Sequence, residues 1–254
     1  MKTDYSKLAS TYDKRYESSP MLGVEQTLHD IILQNKFKSV LEIGCGMGHW
    51  LDKLVHKTSI CCGVDPSMKM LRKNSPANQS FFCINGVAEH VPFPDGSFDF
   101  IFCVNAIHHF ADLDLFLNEA NRILRDQGQL AIFGMNPRDP DMQYYQYKYF
   151  PSVYERDIAR FKDLSIIEDK LRDKGFKHIS QFVVEKIKSE HIGKSVFEDP
   201  FLDKRSTSQL AMLSDEQYDQ GIENINQAIN QAEASGENIT FLSVIPMHML
   251  IAEK

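Results

Sequence analysis

Three glycines fall within ten residues, LEIGCGMGHW at 41–50, at the point where an apolar strand-like run hands over to a helix-like one. Glycine lets the backbone take left-handed angles and lie close against a ligand, and a helix start next to it offers unpaired N–H groups. A chain with this junction is constrained to put a strand, a tight turn and a helix in succession, with the turn exposed at a strand end. The spacing is G-x-G-x-G. His49 stands where a dinucleotide fingerprint wants its third glycine, and no Lys-Ser/Thr pair follows to make a P-loop. Pyrophosphate ligands are therefore disfavoured.

Alternation continues on both sides of that junction. Residues 21–35 space Leu22, Leu28, Ile31 and Ile32 as a helix, and KFKSVLEIG supplies a strand ending at Gly44. TSICCGVD predicts a second strand and PSMKMLRKN a short helix. SFFCING (80–86) and SFDFIFCVNAI (97–107) predict two more strands. The segment 113–126 predicts an amphipathic helix leading to a fifth strand at 129–136. Near-continuous apolar strands separated by helices predict a mainly parallel sheet covered on both faces. After 137 the grammar changes. Residues 137–161 concentrate Tyr144, Tyr145, Tyr147, Tyr149, Phe150 and Tyr154 among prolines. Residues 165–187 predict a helix capped at Gly175 and then a strand, and 206–234 two helices, the second with Ser214 and Gln217 at capping-box spacing. A closing strand is expected at 239–254, with Pro246 at a bulge, at an edge or before the hydrogen-bonded run.

Asp65 ends the second strand 17 residues after Gly48. A carboxylate there can accept both hydroxyls of a ribose laid across the strand ends, or cap the helix that follows. Pro66, Ser67 and Met68 come next, and Met68 either walls a base or packs in the core. The net charge of -7, with 28 Lys+Arg against 35 Asp+Glu, gives no general attraction to nucleic acid or anionic membrane. Five cysteines, an odd number clustered at 45, 61, 62, 83 and 103, fit neither a disulfide framework nor a zinc site; Cys61, Cys62 and Cys103 read as fillers of strand faces and Cys45 as a small residue of the glycine loop rather than a nucleophile. No apolar run reaches 18 residues and the first 20 are polar, so a cytoplasmic protein is expected.

Four ordered segments, LEIGCGMGHW, GVDPSMKML, GVAEHVPFPDGSFDFIFCVNAIHHF and ANRILRDQGQLAI, preceded by YDKRY at 12–16, resemble the class I S-adenosylmethionine-dependent methyltransferases, in particular the ubiquinone/menaquinone-biosynthesis-like (type 11) small-molecule group. The resemblance covers about residues 5–136. It implies a Rossmann-like, seven-stranded, mostly parallel sheet with an antiparallel last strand, helices on both faces and a small helical, aromatic cap. It implies S-adenosyl-L-methionine as cofactor and S-adenosyl-L-homocysteine as product. Within one methyltransferase domain over 1–254, it divides the chain into an N-terminal helical lid at 1–35 and a cofactor core at 37–136. An aromatic cap follows at 137–161, a helix and sixth strand at 162–187, a helical insertion at 188–238 and a final strand at 239–254.

By the same resemblance Glu42 lies near the methionine amino group, and Gly44, Cys45, Gly46 and Gly48 wrap methionine and ribose. Asp65 takes the ribose hydroxyls, with Pro66, Ser67 and Met68 beside it. Ala88 and Glu89 lie on the adenine side, Asn105 and Ala106 by the methionine, and Tyr16 at the cofactor from a lid that also holds Tyr5, Tyr12 and Arg15. The family often has Asp where this chain has Val87, so adenine N6 would need another acceptor. His109 and His108 are the candidate bases for an acceptor hydroxyl, thiol or ring nitrogen, or else orient loops by hydrogen bonds. No metal is expected. The partner implied is a small-molecule acceptor, apolar or aromatic if the tyrosine-rich segment lines its pocket; that segment could equally be a subunit interface. A methyl acceptor in RNA, or a catalytically silent cofactor-binding scaffold or activating subunit, are the competing readings.

Overall fold

The computed structural model describes residues 19–73 and 81–254. The chain divides into two compact units, one of Leu22–Met135, Lys162–Glu185 and Met247–Lys254, the other of Asn136–Phe161, Lys186–Pro246 and residues 19–21.

In the first unit, helix α1 (Leu22–Asn35) precedes strand β1 (Ser39–Ile43), α2 (His49–Leu54), β2 (Ile60–Asp65), α3 (Met68–Leu71), β3 (Phe82–Asn85) and β4 (Phe98–Val104). Helix α4 (Leu113–Ile123) then leads into β5 (Leu124–Met135). The strand order is β3-β2-β1-β4-β5, all parallel, so the chain reverses its direction of travel across the sheet between β1 and β4. Strand β8 (Thr240–Glu253) lies antiparallel to β5 over Met247–Glu253. The expected topology is thus observed, including the antiparallel last strand. Both faces of β1 are buried, as a parallel sheet requires. On one face, Leu41, Ile43, Val64, Ile101, Cys103, Ile132 and Leu250 pack with Phe116, Leu117 and Ile123 of α4. Ile167 and Leu171 of helix α7 (Leu164–Asp173) join that layer. The Gly175 cap after α7 has φ +86°, the left-handed angle expected there.

Several boundaries differ from the sequence expectation: β4 stops at Val104 and Ile107 opens a 3-10 turn, where the pattern ran the strand to 107, and the strand expected to end at 187 continues to Ile192. The chain leaves α4 at Ile123 and enters β5 at once, pairing Leu124 with Phe98, whereas the pattern placed the helix to 126 and the strand from 129. The register shifts between Phe98 and Phe100, with Gln127 at φ +64°. A Cβ on Gly128 would come within 2.8 Å of the Arg125 carbonyl oxygen. A bulge therefore accommodates the polar stretch Arg125–Gly128 inside the strand.

In the second unit, β6 (Gln143–Tyr144) pairs with Ser243 and Val244 of β8. Pro246 lies between the β6 and β5 registers, where neither pairing requires its missing N–H. Helices α5 (Tyr145–Tyr149), α6 (Pro151–Arg160), α8 (Ser208–Ala211) and α9 (Asp215–Ala234) complete the unit, together with short 3-10 turns at 193–198 and 200–202. The capping box of α9 forms as its sequence dictates: Ser214 Oγ accepts from Gln217 N, and Gln217 Oε1 from Ser214 N. Four of the clustered aromatics, Tyr144, Tyr145, Tyr149 and Phe150, are buried. Tyr145, Tyr149 and Phe150 pack with Ile225 and Ile229 of α9 and with Phe241. The Tyr145 hydroxyl donates to Asp199 Oδ2 at 2.8 Å and that of Tyr147 to Asp157 Oδ2 at 2.9 Å. Strand β7 (Lys177–Ile192), like β8, contributes residues to both units and pairs with β8. No helix among the described residues is long and apolar enough to cross a membrane.

Candidate active site at the strand ends

The glycine loop is pinned from below by β2. Gly44 N and Cys45 N both donate to the Val64 carbonyl, at 2.7 and 3.1 Å. Gly44, Gly46 and Gly48 have φ of +79°, +55° and +80°, so all three hold left-handed angles. At Gly44 there is a second reason for glycine: an added Cβ would sit 2.6 Å from the Ala106 Cβ. The end of β4 and the loop after β1 therefore touch at Gly44 and Ala106, a contact that makes two sequence-distant candidates neighbours.

Asp65 is 9% exposed at the end of β2. Its Oδ2 accepts Gly46 N at 2.8 Å and its Oδ1 accepts Ser67 N at 2.7 Å. Burial raises its carboxyl above the ordinary value, and these two N–H bonds act in the opposite direction. Each oxygen of a carboxylate has about two acceptor directions. With one N–H on each, the remaining pair can accept two more hydrogens, as a ribose diol presents. The capping alternative is partly realised as well: Ser67 Oγ caps α3 by accepting Met70 N at 3.4 Å, while Asp65 orders the residue before the helix. Pro66 and Met68 are exposed beside it. Met68 is thus not a core residue.

Glu42 is 1% exposed and its Oε2 has no hydrogen-bond partner. Burial first, then the neighbouring Cys83 and Asp65, push its carboxyl well above the usual range. A buried, partnerless acceptor costs free energy unless a ligand or proton meets it.

The loops after β3 and β4 are tied to one another. Ala88 is buried, and Glu89 turns its carboxylate to the loop before α4, where Oε1 accepts Ala111 N at 2.5 Å and Asp112 N at 3.1 Å. Glu89 thereby fixes the segment that begins with the histidines. His108 and His109 form a 3-10 turn with Ile107, half-buried, with ring centroids 3.9 Å apart. Asn105 has φ +51° and donates its N–H to Phe133 O at 2.8 Å. A left-handed non-glycine residue at a strand end is a strained position of the sort found where a side chain must be aimed. Tyr16, with Tyr5, Tyr12 and Arg15, lies outside the described residues.

Two further side chains near these strand ends had no signal in the sequence. Asn85, paired with Asp65 in the β2–β3 register, donates Nδ2 to the Asp65 carbonyl at 3.0 Å and steadies the strand end. His248 lies opposite Gly134 on β8 with its Nδ1 3.3 Å from Gln181 Nε2, and Gly134 in turn neighbours the Asn105 side chain. Only strand pairing brings these residues to the strand ends. A lone Asn or His carries no spacing rule that would mark it.

Residues 41–132 match the family model described as a methyltransferase domain. The crystal structure of YcgJ from Bacillus subtilis superposes with a TM-score of 0.58 over 85% of this chain and 92% of that one, at 22% identity. The two share one fold, a mostly parallel sheet flanked by helices. In sequence, YcgJ of B. subtilis strain 168, an uncharacterised methyltransferase, is 33% identical over 146 residues, 54% of this chain and 56% of its own. A fatty-acid O-methyltransferase of Mycolicibacterium smegmatis is 32% identical over 143 residues, 48% of this chain and 52% of its own. A tRNA U34 carboxymethyltransferase of Campylobacter concisus is 26% identical over 175 residues, 58% of this chain and 57% of its own. The chain spans about half the length of these curated relatives. The methyltransferase match centres on the stretch that builds the glycine loop, the Asp65 strand end and the histidine turn.

Proposed function

We propose that this protein binds S-adenosyl-L-methionine and transfers its methyl group to an O, N, S or C nucleophile of a small molecule, leaving S-adenosyl-L-homocysteine. The observation that carries the reading is the Asp65 carboxylate: held by Gly46 and Ser67 N–H groups at the end of β2, it keeps acceptor capacity beside a loop of left-handed glycines. The residues present fit this cofactor. Gly44, Cys45, Gly46 and Gly48 give a backbone surface for the methionine and ribose, and Asp65 accepts the ribose hydroxyls. Glu42 Oε2, partnerless and buried, is the acceptor for the ammonium. Pro66, Ser67, Met68, Ala88 and Glu89 surround the base side, and Asn105 and Ala106 the methionine side.

When bound, the cofactor supplies an electrophilic methyl on a sulfonium, so the chain's work is alignment and exclusion of water. His109 or His108, held in the turn that Glu89 fixes, takes or orients the acceptor's proton. The overall acid excess favours a small acceptor over RNA.

Isothermal titration against S-adenosyl-L-methionine, S-adenosyl-L-homocysteine and NAD tests the donor, and a methyl-release screen over small acceptors and bulk RNA tests the acceptor class. Asp65→Ala is expected to weaken donor binding by roughly 1–3 kcal/mol, about five- to 150-fold. Binding of NAD without the sulfonium donor overturns the donor assignment, and unchanged affinity in Asp65→Ala removes the ribose role of Asp65. Methylation of RNA alone overturns the small-molecule assignment.

A further inference from the structure

All five cysteines are thiols, and four of them sit in strands, where Cys61, Cys62 and Cys103 are buried fillers and Cys83 is only half-buried. Cys45 is different. It belongs to the glycine loop, and its Sγ lies 3.8 Å from Cys83 Sγ on β3, although the two residues are 38 positions apart and β2 runs between β1 and β3. The reason they meet is Gly63. Glu42, Gly63 and Cys83 are successive partners across β1, β2 and β3, so their side chains share one sheet face. A Cβ on Gly63 would stand 2.6 Å from Cys45 Sγ and 2.8 Å from Cys45 Cβ. The missing side chain at 63 is the space through which the loop cysteine reaches Cys83.

We propose that Cys45 and Cys83 are an oxidation site that forms an intramolecular disulfide and thereby takes the glycine loop out of its cofactor-holding shape; the second half of this rests on the donor reading above. Cys45 is 5% exposed and Cys83 half-buried, so Cys83 is the thiol that meets a peroxide. Its thiolate attacks one peroxide oxygen, the O–O bond breaks, and a sulfenic acid forms with loss of water after protonation. Cys45 then attacks the sulfenyl sulfur, the S–S bond forms and a second water leaves, carrying the hydroxyl and the Cys45 proton. Two thiols and one peroxide give one disulfide and two waters, the two electrons passing from sulfur to peroxide oxygen. The hydrogen bond to Cys83 and burial hold the Cys45 thiol above its ordinary value, and oxidation of Cys83 removes the first of these causes.

Closure from 3.8 Å to the roughly 2.05 Å of a disulfide must be taken up somewhere. Cys83 is fixed in the β2–β3 ladder, whereas Cys45 is flanked by left-handed Gly44 and Gly46, so the loop is the element that yields. Gly46 N, the donor to Asp65, lies on that loop.

The full-length protein is treated with hydrogen peroxide, digested under non-reducing conditions and mapped by mass spectrometry, and S-adenosyl-L-methionine affinity is measured before oxidation, after it, and after dithiothreitol. A Cys45–Cys83 linked peptide is expected, with thiols in denaturant falling from five to three, affinity at least tenfold weaker, and recovery on reduction. Cys83→Ser is expected to lose the link and to keep its affinity in peroxide. A different pairing, or oxidation of Cys83 without a link, overturns the site; a link with unchanged affinity overturns its coupling to the loop. If the reduced protein binds no donor, the donor reading fails, while the peptide map still decides the oxidation site.

Discussion

Substituting Gly44 by alanine tests the geometry of the site at its tightest point. Two costs add. At φ +79° an L-residue carries the left-handed penalty, about 1–2 kcal/mol. The new methyl would also stand 2.6 Å from the Ala106 Cβ, closer than carbon atoms approach, and overpacking of that kind costs about 1–3 kcal/mol. We predict a loss near 3 kcal/mol, which for a chain of this size lowers the melting temperature by about 6–12 °C. The two costs separate in a double-mutant cycle. Ala106→Gly removes the methyl that Gly44→Ala collides with, at an expense of about 0.4–1 kcal/mol in chain entropy. The double variant is therefore expected to recover the steric share, giving a coupling of about 1–3 kcal/mol, while the backbone share remains. Urea unfolding of the four proteins at one pH measures this. A coupling indistinguishable from zero would refute the contact between the loop and the end of β4. A Gly44→Ala cost under about 0.5 kcal/mol would refute the strained geometry altogether.

Two further outcomes follow from the second unit. Burial pushes the Asp157 carboxyl up to about 6 from 3.8, against the hydrogen bond from Tyr147 and the charge of Arg160. A group whose folded value is raised keeps its proton in the native state longer than in the unfolded one. Its contribution is thus full below about pH 4 and is lost as pH rises to about 6, a difference on the order of 3 kcal/mol. Asp157→Asn should flatten stability over that window relative to wild type, by chemical denaturation at several pH values; parallel curves would refute the buried ionisation. Gly221→Ala should destabilise α9 and its neighbours although alanine is the better helix former by about 1 kcal/mol, because its Cβ would lie 2.0 Å from the Phe150 ring. A stability gain in Gly221→Ala would mean that Phe150, which stacks on Tyr218, has room to move.

The clustered tyrosines show where local reading stops. As a composition they suggested an acceptor pocket or an interface; in the fold, Tyr145, Tyr149 and Phe150 fill a core with α9, and the Tyr145 and Tyr147 hydroxyls are taken by Asp199 and Asp157. Neither partner is near in sequence to the tyrosine it meets in a way that a motif could announce. The helix predicted to 126 failed for a related reason. Pairing of Leu124 with Phe98 outweighs the local helical preference of Leu124–Asp126, and only the sheet knows that Phe98 is there.

What the sequence determined by itself was everything encoded within one strand-turn-helix span: the alternation that makes the parallel sheet, the left-handed turn at 44–48, the carboxylate at the end of β2, and the Ser214 cap with its Gln217. These are short-range consequences of backbone sterics and periodicity, and adjacent residues suffice to state them. The tertiary structure alone decided which distant groups meet. It set Ala106 against Gly44, gave Asp65 the N–H group of Gly46, turned Glu89 to the histidine loop, and laid Cys45 through the gap at Gly63 onto Cys83. Strand order and register make those contacts, and they are properties of the whole sheet, fixed by burial across many segments at once.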